Sequence, residues 1–347
     1  MFDFQQLLRA NIRDLIPYSS ARAEFKGSAS VWLDANENAF GSPLETAYNR
    51  YPDPMQMKLK KQLSGIKGLL PDCMFVGNGS DEAIDLLLRA CCNPGVDNVL
   101  ICPPTYGMYE VSANINNVEV RRVQLLPDFQ LDLERISEAV DEQTKIIFLC
   151  SPNNPTGNCL NREDIEIVLN NFNGLVVIDE AYINFSRQRS FIPELTEYLN
   201  LVILQTLSKA WGLAGLRIGM AFAAPEIIEV MNKIKPPYNV SEVTQTLAAE
   251  ALSKTEEINK QIRETVQQRE WLKQELAQFS FVQKIYPSDA NFLLVKMDDP
   301  KTVYNHLSSK GIVVRDRSSV SGCEGCLRIT VGTSSENSLL ISALQEL

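Results

Sequence analysis

Short apolar runs punctuate the chain between helix-patterned stretches: FVG at 75–77, VLIC at 99–102, IIFLC at 146–150, LVVID at 175–179, LVIL at 201–204 and IGMAFA at 218–223. Uninterrupted runs of this length suit strands buried on both faces, and their alternation with helices implies crossover connections. The pattern predicts an α/β domain from about residue 40 to 235, built on a mostly parallel sheet covered by helices. In such sheets ligands occupy the crevice beyond the carboxyl ends of the strands. Two prolines in KIKPPYNV, 233–240, end the pattern, and the charged stretch from there to about Gln278 predicts a long connecting helix. NFLLVKM, GIVVRDRS and CLRITVGT then predict strands of a smaller α+β domain. The expected division is a large domain over 30–240, with 1–29 and 241–347 forming the small one.

At 347 residues and 45% hydrophobic, the chain can bury a core large enough for two unequal domains. A net charge of −10 disfavours nucleic acid as a partner, since phosphate backbones need a concentrated cationic face, although local arginines can still hold one small anion. No apolar stretch approaches the roughly 20 residues that cross a bilayer. The start, MFDFQQLLRANIRD, lacks a basic region followed by an apolar block, and the expectation is a cytoplasmic protein without membrane contact. Eight scattered cysteines suit reduced core thiols. The close pair Cys323 and Cys326 in GCEGC has no second pair or neighbouring histidine, and no metal site is expected. The single histidine, His306, lies in HLSSKG, which reads as the face of a small helix. Histidine clusters are therefore excluded, and the base of any reaction here is expected to be another group.

The residues just beyond each apolar run are more telling. FVG leads into NGSDEAIDLLLRA, where Gly77 and Gly79 allow a tight turn and Ser80 can cap the next helix, leaving backbone N–H groups to face an anion. VLIC leads to PPTYGMY, placing Tyr106 where it could cover a planar ring, and IIFLC leads to SPNNPTGN, presenting Asn153 and Asn154. LVVI ends in Asp179, with Tyr182 three residues on, and LVIL runs to Lys209 in LSKAWGLAGLRIG. Taken singly these read as aromatic core, loop punctuation, helix cap and solvated lysine. Together, at the carboxyl ends of strands in one sheet, they converge on one crevice. No GxGxxG occurs, which argues against a nicotinamide-dependent reductase.

GNGSDE, PTYGMY, SPNNPTGN, VVIDEAY and LSKAWGLAGLRIG, in this order, resemble the pyridoxal-phosphate aminotransferases of fold type I over nearly the whole chain. Within that superfamily PYSSAR (17–22), LDANEN (33–38), RYPDP (50–54), VVRDR and LRITVGT are most similar to the histidinol-phosphate aminotransferases. The resemblance implies pyridoxal 5′-phosphate as cofactor. Lys209 would form a Schiff base with its aldehyde and, once released, move a proton between the substrate α-carbon and the cofactor C4′, which requires a depressed pKa. Asp179 would face the pyridine nitrogen; at about 4 Å and an effective dielectric near 20 such a pair is worth roughly 4 kcal/mol, enough to keep a weakly basic ring protonated as an electron sink. Tyr182 and Asn154 would hydrogen-bond the phenolic oxygen and Tyr106 would stack on the ring. Gly79, Ser80, Asp81, Ser208 and Arg217 would hold the phosphate, with GLAGL letting backbone pass close by.

By the same resemblance Tyr51 would reach the phosphate of the neighbouring subunit, which implies an obligate homodimer with shared active sites. Tyr18, Arg22, Asn78, Arg315 and Arg328 would bind substrate. Arg315 and Arg328 sit in strand-like runs, where a half-buried arginine binds an anion, either a ligand or a structural carboxylate. Arg328 would anchor both a phosphate ester and the glutamate carboxylate, while Arg315, Arg22 and Tyr18 favour the ester. The implied reaction converts L-histidinol phosphate and 2-oxoglutarate to imidazole acetol phosphate and L-glutamate, in histidine biosynthesis. An aromatic-amino-acid aminotransferase would share every cofactor residue, and a threonine-phosphate decarboxylase much of the phosphate clamp. A non-catalytic regulator of this fold is disfavoured by the acidic chain and the early PYSSAR motif. Trp211 and Ser241-Glu242 depart from the family pattern at positions expected near the cofactor or substrate.

Overall fold

The structure, a computed structural model, describes residues 2–18, 27 and 29–347. Seven strands form the large sheet: β1 (Met74–Asn78), β2 (Asn98–Ile101), β3 (Glu119–Arg122), β4 (Thr144–Cys150), β5 (Leu175–Asp179), β6 (Leu201–Thr206) and β7 (Ile218–Ala223), in the order β1-β7-β6-β5-β4-β2-β3. β7 runs antiparallel to both its neighbours, and every other pairing is parallel. The remaining strands therefore all end at one edge, where the chemistry-bearing loops gather.

The continuous apolar runs follow from burial on both faces. Along β5, Val176 and Ile178 enter one core while Leu175 and Val177 enter the other; along β6, Leu201 and Ile203 alternate in the same way with Val202 and Leu204. Successive side chains of a strand point to opposite faces, so a strand covered on both sides needs an apolar residue at every position. Helix Arg162–Asn171 covers the first face through Ile165, Val168 and Leu169, and helices Ser80–Cys91 and Pro225–Ile234 cover the second. β3, at the sheet edge, reads EVRR and has no fully buried residue, so it lacks the run that marks its neighbours.

The small domain is an antiparallel sheet of β8 (Val282–Ile285), β9 (Phe292–Met297), β10 (Arg315–Asp316) and β11 (Cys326–Thr330), ordered β10-β11-β9-β8. Its core packs Leu293, Val295, Leu327 and Ile329 against helices Pro300–Ser309 and Ser334–Leu344. Of GIVVRDRS, only Arg315 and Asp316 pair as a strand. His306 lies on helix Pro300–Ser309, as expected, with Nε2 against the Ala343 carbonyl at 2.8 Å.

Three expectations shift. The connecting helix is two helices, Glu242–Leu252 and Thr255–Leu276, broken at Ser253 and Lys254. The first packs Ala248, Ala249 and Leu252 on the large-domain core, so the small domain does not begin at residue 241; the second packs Ile258, Ile262 and Val266 there and Leu272 and Leu276 in the small-domain core. Residues 2–14 also lie on the large domain rather than the small one: Phe4 and Leu8 are buried in its second core, Arg9 N donates to the Ala90 carbonyl, and Lys233 Nζ donates to the Ile12 and Arg13 carbonyls.

Arg269 on the long helix is buried, and its Nη1 donates to the carbonyls of Phe185 and Ala290 at 3.3 and 2.8 Å. This cation joins the long helix to the large domain and to the segment leading into β9. Removing it strands two buried carbonyls, and hydrogen bonds from charged donors contribute about 1.5–3 kcal/mol. Arg269→Ala is expected to lower the stability of the cofactor-free protein by about 2 kcal/mol, measured as a shift of the urea midpoint; an unchanged midpoint contradicts this role.

Candidate active site

A cavity of about 660 Å³ opens where the carboxyl ends of the large-sheet strands meet β10 and β11. Gly79, Ser80, Asp81, Tyr106, Asn154, Asp179, Tyr182, Ser208, Lys209 and Arg217 line it from the large domain, and Arg315, Arg317 and Arg328 from the small one. The loops beyond the apolar runs thus meet in one crevice because parallel strands deliver their ends to the same side.

At one end the turn after β1 meets the turn before β7. Gly79 has φ 78° and caps helix Ser80–Cys91 with no side-chain bond, so Ser80 is the first helical residue and not the cap. The first N–H groups of the helix are consequently left to face a ligand, and the helix end favours a negative charge there. Gly79 N donates to the Arg217 carbonyl at 2.7 Å, and a side chain at Gly79 would meet Arg217 Nη2 at 2.7 Å. Arg217, itself at φ 56°, sits 3.7 Å from the Asp81 carboxylate, which also accepts from Tyr106 Oη at 3.1 Å. The Ser208 hydroxyl oxygen is buried without a partner. The glycine of close approach is Gly219, where a Cβ would lie 2.0 Å from Ser80 N; within GLAGL, Gly212 supplies a φ of 65° and a Cβ at Gly215 would meet open space.

The floor is Asp179, at the end of β5 and almost wholly buried. Its carboxylate accepts from Tyr109 Oη at 2.8 Å and from the Ala181 amide at 3.0 Å. Burial raises its pKa above the usual 3.8 despite these two donors. Tyr109 is fully buried, stacked on Phe148 with centroids 4.9 Å apart and edge-on to Tyr106 at 5.5 Å. The sequence motifs do not single it out: it lies in the first turn of helix Met108–Ile115, and Tyr106 stands just before that helix. Glu180, adjacent in sequence, is also buried but bonds away from the cavity, to Ser190 Oγ, the Phe191 amide and Gln205 Nε2.

Lys209 reaches into the cavity with Nζ 5.6 Å from the Tyr182 ring centroid. Its side chain is exposed into the cavity, yet its pKa is lowered, first by desolvation and then by the Arg328 and Arg217 charges, against the opposing pull of Asp179 and Asp81. Tyr182 is buried and packs edge-on to Phe292 at 5.2 Å. Across from it, Arg328 Nη1 donates to Asn154 Oδ1 at 2.5 Å, while Arg328 Nε is buried without an acceptor. Arg317, absent from the expected set, lines the same wall with its own Nε buried and unpartnered.

Other expected residues lie elsewhere. Asn78 turns its side chain to the Asn239 carbonyl and does not line the cavity. Tyr18 is 76% exposed, and Arg22 falls outside the described residues. Tyr51 stacks on Tyr238 at 4.4 Å beside a separate groove that includes Ser241 and Glu242. Asn153 is a loop strut, bonded to Thr105, Pro104 and Thr156, and Trp211 is buried in the large-domain core. Cys323 and Cys326 are buried free thiols, and no cluster able to hold a metal occurs among the described residues. No described helix is long and apolar enough to cross a membrane.

A family model described as aminotransferase class I and II matches residues 26–344. The histidinol-phosphate aminotransferase of Parabacteroides distasonis is 55% identical over 347 residues, covering 100% of this chain and 99% of that protein. That of Cytophaga hutchinsonii is 51% identical over 99% of each. Among solved structures, histidinol-phosphate aminotransferase from Sinorhizobium meliloti in complex with pyridoxal-5′-phosphate superposes with a TM-score of 0.80 at 25% identity, covering 90% of this chain and 89% of that one.

The raised Asp179 pKa makes the stability of the cofactor-free chain depend on pH. Because the folded value lies above the unfolded 3.8, the native chain binds more protons in the interval between the two, and stability falls as pH rises through it. Asp179→Asn removes that charge. The cofactor-free variant is expected to melt higher than the parent at pH 7, with the difference closing as pH approaches 4; scanning calorimetry across this range checks it, and a variant that melts lower at pH 7 overturns it.

Proposed function

The chain belongs to the class I and II aminotransferases, and we propose that it transfers the amino group of L-histidinol phosphate to 2-oxoglutarate, with pyridoxal 5′-phosphate as cofactor. The products are imidazole acetol phosphate and L-glutamate, and the reaction serves histidine biosynthesis. The observation that carries this reading is the meeting, in one cavity, of the Lys209 amine with its lowered pKa, a buried carboxylate at Asp179 and anion-binding groups on two opposed walls.

The residues present fit the cofactor. Ser208 Oγ lacks a partner, the amides opening helix Ser80–Cys91 are uncapped and Arg217 lies beside them, which together suit a phosphate. Asp179, buried with hydrogen-bond donors but no cation within ion-pair distance among the described residues, suits a protonated ring nitrogen. When bound, pyridoxal phosphate supplies the electron sink that makes the substrate α-carbon acidic and carries the amino group between the two substrates.

The chain's own groups do the rest. Lys209, shifted toward its neutral form, takes up the proton leaving the substrate α-carbon. Asp179, oriented by the Tyr109 hydroxyl, would hold the proton on the pyridine nitrogen. Asn154 accepts from Arg328 through Oδ1, and its Nδ2 with the Tyr182 hydroxyl would donate to the phenolic oxygen of the cofactor, while Tyr106 would cover its ring. Arg328 anchors the anionic group of either substrate, with Arg315, Arg22 and Tyr18 serving the phosphate ester. By the same reading the enzyme is a cytoplasmic homodimer that does not bind nucleic acid, in which Tyr51 completes the site of the other subunit. Support comes from its position away from the chain's own cavity and from Ile16, Leu33 and Phe40, which are 90%, 85% and 101% exposed along the same N-terminal stretch.

Two measurements test this. Borohydride reduction of the holoenzyme followed by peptide mass mapping is expected to place the added mass on Lys209, with turnover of histidinol phosphate by the unreduced protein; mass on another lysine overturns the assignment. Arg328→Ala is expected to slow both half-reactions about 10- to 100-fold by the loss of one charge-assisted contact, whereas Arg22→Ala slows mainly the histidinol phosphate half-reaction. Wild-type rates in both variants would remove the anion clamp from the proposal.

A further inference from the structure

Arg315 and Arg328 are direct register partners in the antiparallel pair β10 and β11. Residues opposite one another in such a pair project on the same face, and like charges so placed destabilise the sheet. Arg317 stands two residues beyond Arg315, and its amide continues the pairing by donating to the Cys326 carbonyl at 2.9 Å. Side chains two apart on extended backbone share a face, so three guanidinium groups point into one cavity. Among the described residues no carboxylate forms an ion pair with any of them.

Their hydrogen-bonding is equally incomplete. The Nε atoms of Arg317 and Arg328 are both buried with no acceptor, a state that costs free energy until a ligand supplies one. Mutual repulsion is visible in their ionisation: desolvation lowers the pKa of both, and Arg328 and Arg315 lower that of Arg317 further. Arg328 has already committed Nη1 to Asn154, which leaves it one edge for a ligand. A carboxylate brings one negative charge and fills that edge. A phosphate monoester brings about −1.5 to −2 and three acceptor oxygens, more than Arg328 alone can meet.

We infer that Arg317 is a specificity-determining residue, reading the second negative charge of a phosphate monoester and so separating the phosphorylated amino donor from the carboxylate of glutamate; this rests on the function proposed above. Arg315, on the same face, is exposed, so its position is set less firmly than that of half-buried Arg317. Arg317 acts on binding, since it touches neither Lys209 nor Asp179 in any hydrogen bond or ion pair among the described residues.

The test uses the holoenzyme and its Arg317→Gln and Arg317→Lys variants. Single-turnover absorbance records the histidinol phosphate and glutamate half-reactions separately, and inorganic phosphate serves as competing dianion in the glutamate half-reaction. Arg317→Gln is expected to raise the half-saturating concentration of histidinol phosphate about 10- to 100-fold with the limiting rate within about threefold, and to weaken phosphate inhibition by a similar factor, as loss of a charge-assisted hydrogen bond predicts. The glutamate half-reaction changes by less than about threefold, and Arg317→Lys recovers part of the loss, because a point charge replaces a planar fork. Equal losses for both substrates, or unchanged phosphate inhibition and ester binding in Arg317→Gln, overturn the inference. If the wild-type protein fails to turn over histidinol phosphate, the function proposed above falls; the phosphate inhibition series still decides whether Arg317 reads a dianion.

Discussion

The site depends on a carboxylate buried at the floor of the cavity and stripped of most of its hydration. Asp179 ends a strand that is buried along its whole length, and the Tyr109 hydroxyl and the Ala181 amide, with the Lys209 charge further off, stabilise its ionised form. Two hydrogen bonds do not offset the loss of hydration, which is why its proton is held more tightly than in water. A cationic ring at the floor of the cavity relieves that cost, so the folded chain is preorganised for a ligand at the expense of its own stability. Tyr109 makes this arrangement rigid: stacked on Phe148 and edge-on to Tyr106, it cannot turn its hydroxyl elsewhere without breaking the core.

Charge is then sorted by domain. The large domain contributes the acids, Asp179 and Asp81, with Lys209 and Arg217 set against them; the small domain contributes guanidinium groups only. A ligand carrying a cationic ring at one end and an anion at the other has one favourable orientation in such a field. The same arginine wall helps hold Lys209 toward its neutral form, since Arg328 is the largest charge acting on it. An anion bound at Arg328 screens that effect, and the amine therefore becomes a stronger base when substrate arrives. Asn154 lies between the two regions, taking a hydrogen bond from Arg328 while facing the cavity with its other edge.

Legibility in the sequence followed burial. Strands covered on both faces write continuous apolar runs, so β4, β5 and β6 and the site residues just beyond them could be read directly. β3 and β8, partly exposed at sheet edges, carry EVRR and VQKI and have no such run. The break at Ser253 and Lys254 was hidden because neither residue is a strong helix breaker. Tyr109 went unmarked in the sequence because nothing there separates it from an ordinary core aromatic; the position of its hydroxyl, on Asp179, reveals its second role. Arg317 sat in plain view in VVRDR, but its importance depends on Arg315 facing Arg328 across the sheet, a register that composition does not disclose. GLAGL suggested close backbone contact at the wrong glycine, since it is at Gly219 that an added Cβ would lie 2.0 Å from the Ser80 amide nitrogen.

The pair Asp179 and Glu180 shows how one strand end yields two unlike acids. Both are buried, and burial raises the pKa of both. Glu180 receives donors from Ser190, the Phe191 amide and Gln205, and Lys67, which donates to the same Gln205 side chain at 2.6 Å, supplies a nearby positive charge. Its needs are met within the protein, so it braces the end of β5. Asp179, one residue earlier and turned to the cavity, has two donors and no adjacent structural cation of this kind. The pleat that sends successive side chains to opposite faces thus divides structural from chemical duty. Exchanging the two environments would leave the sequence pattern DE intact and the cavity without its acid, so the function resides in which face each carboxylate meets rather than in the motif as written.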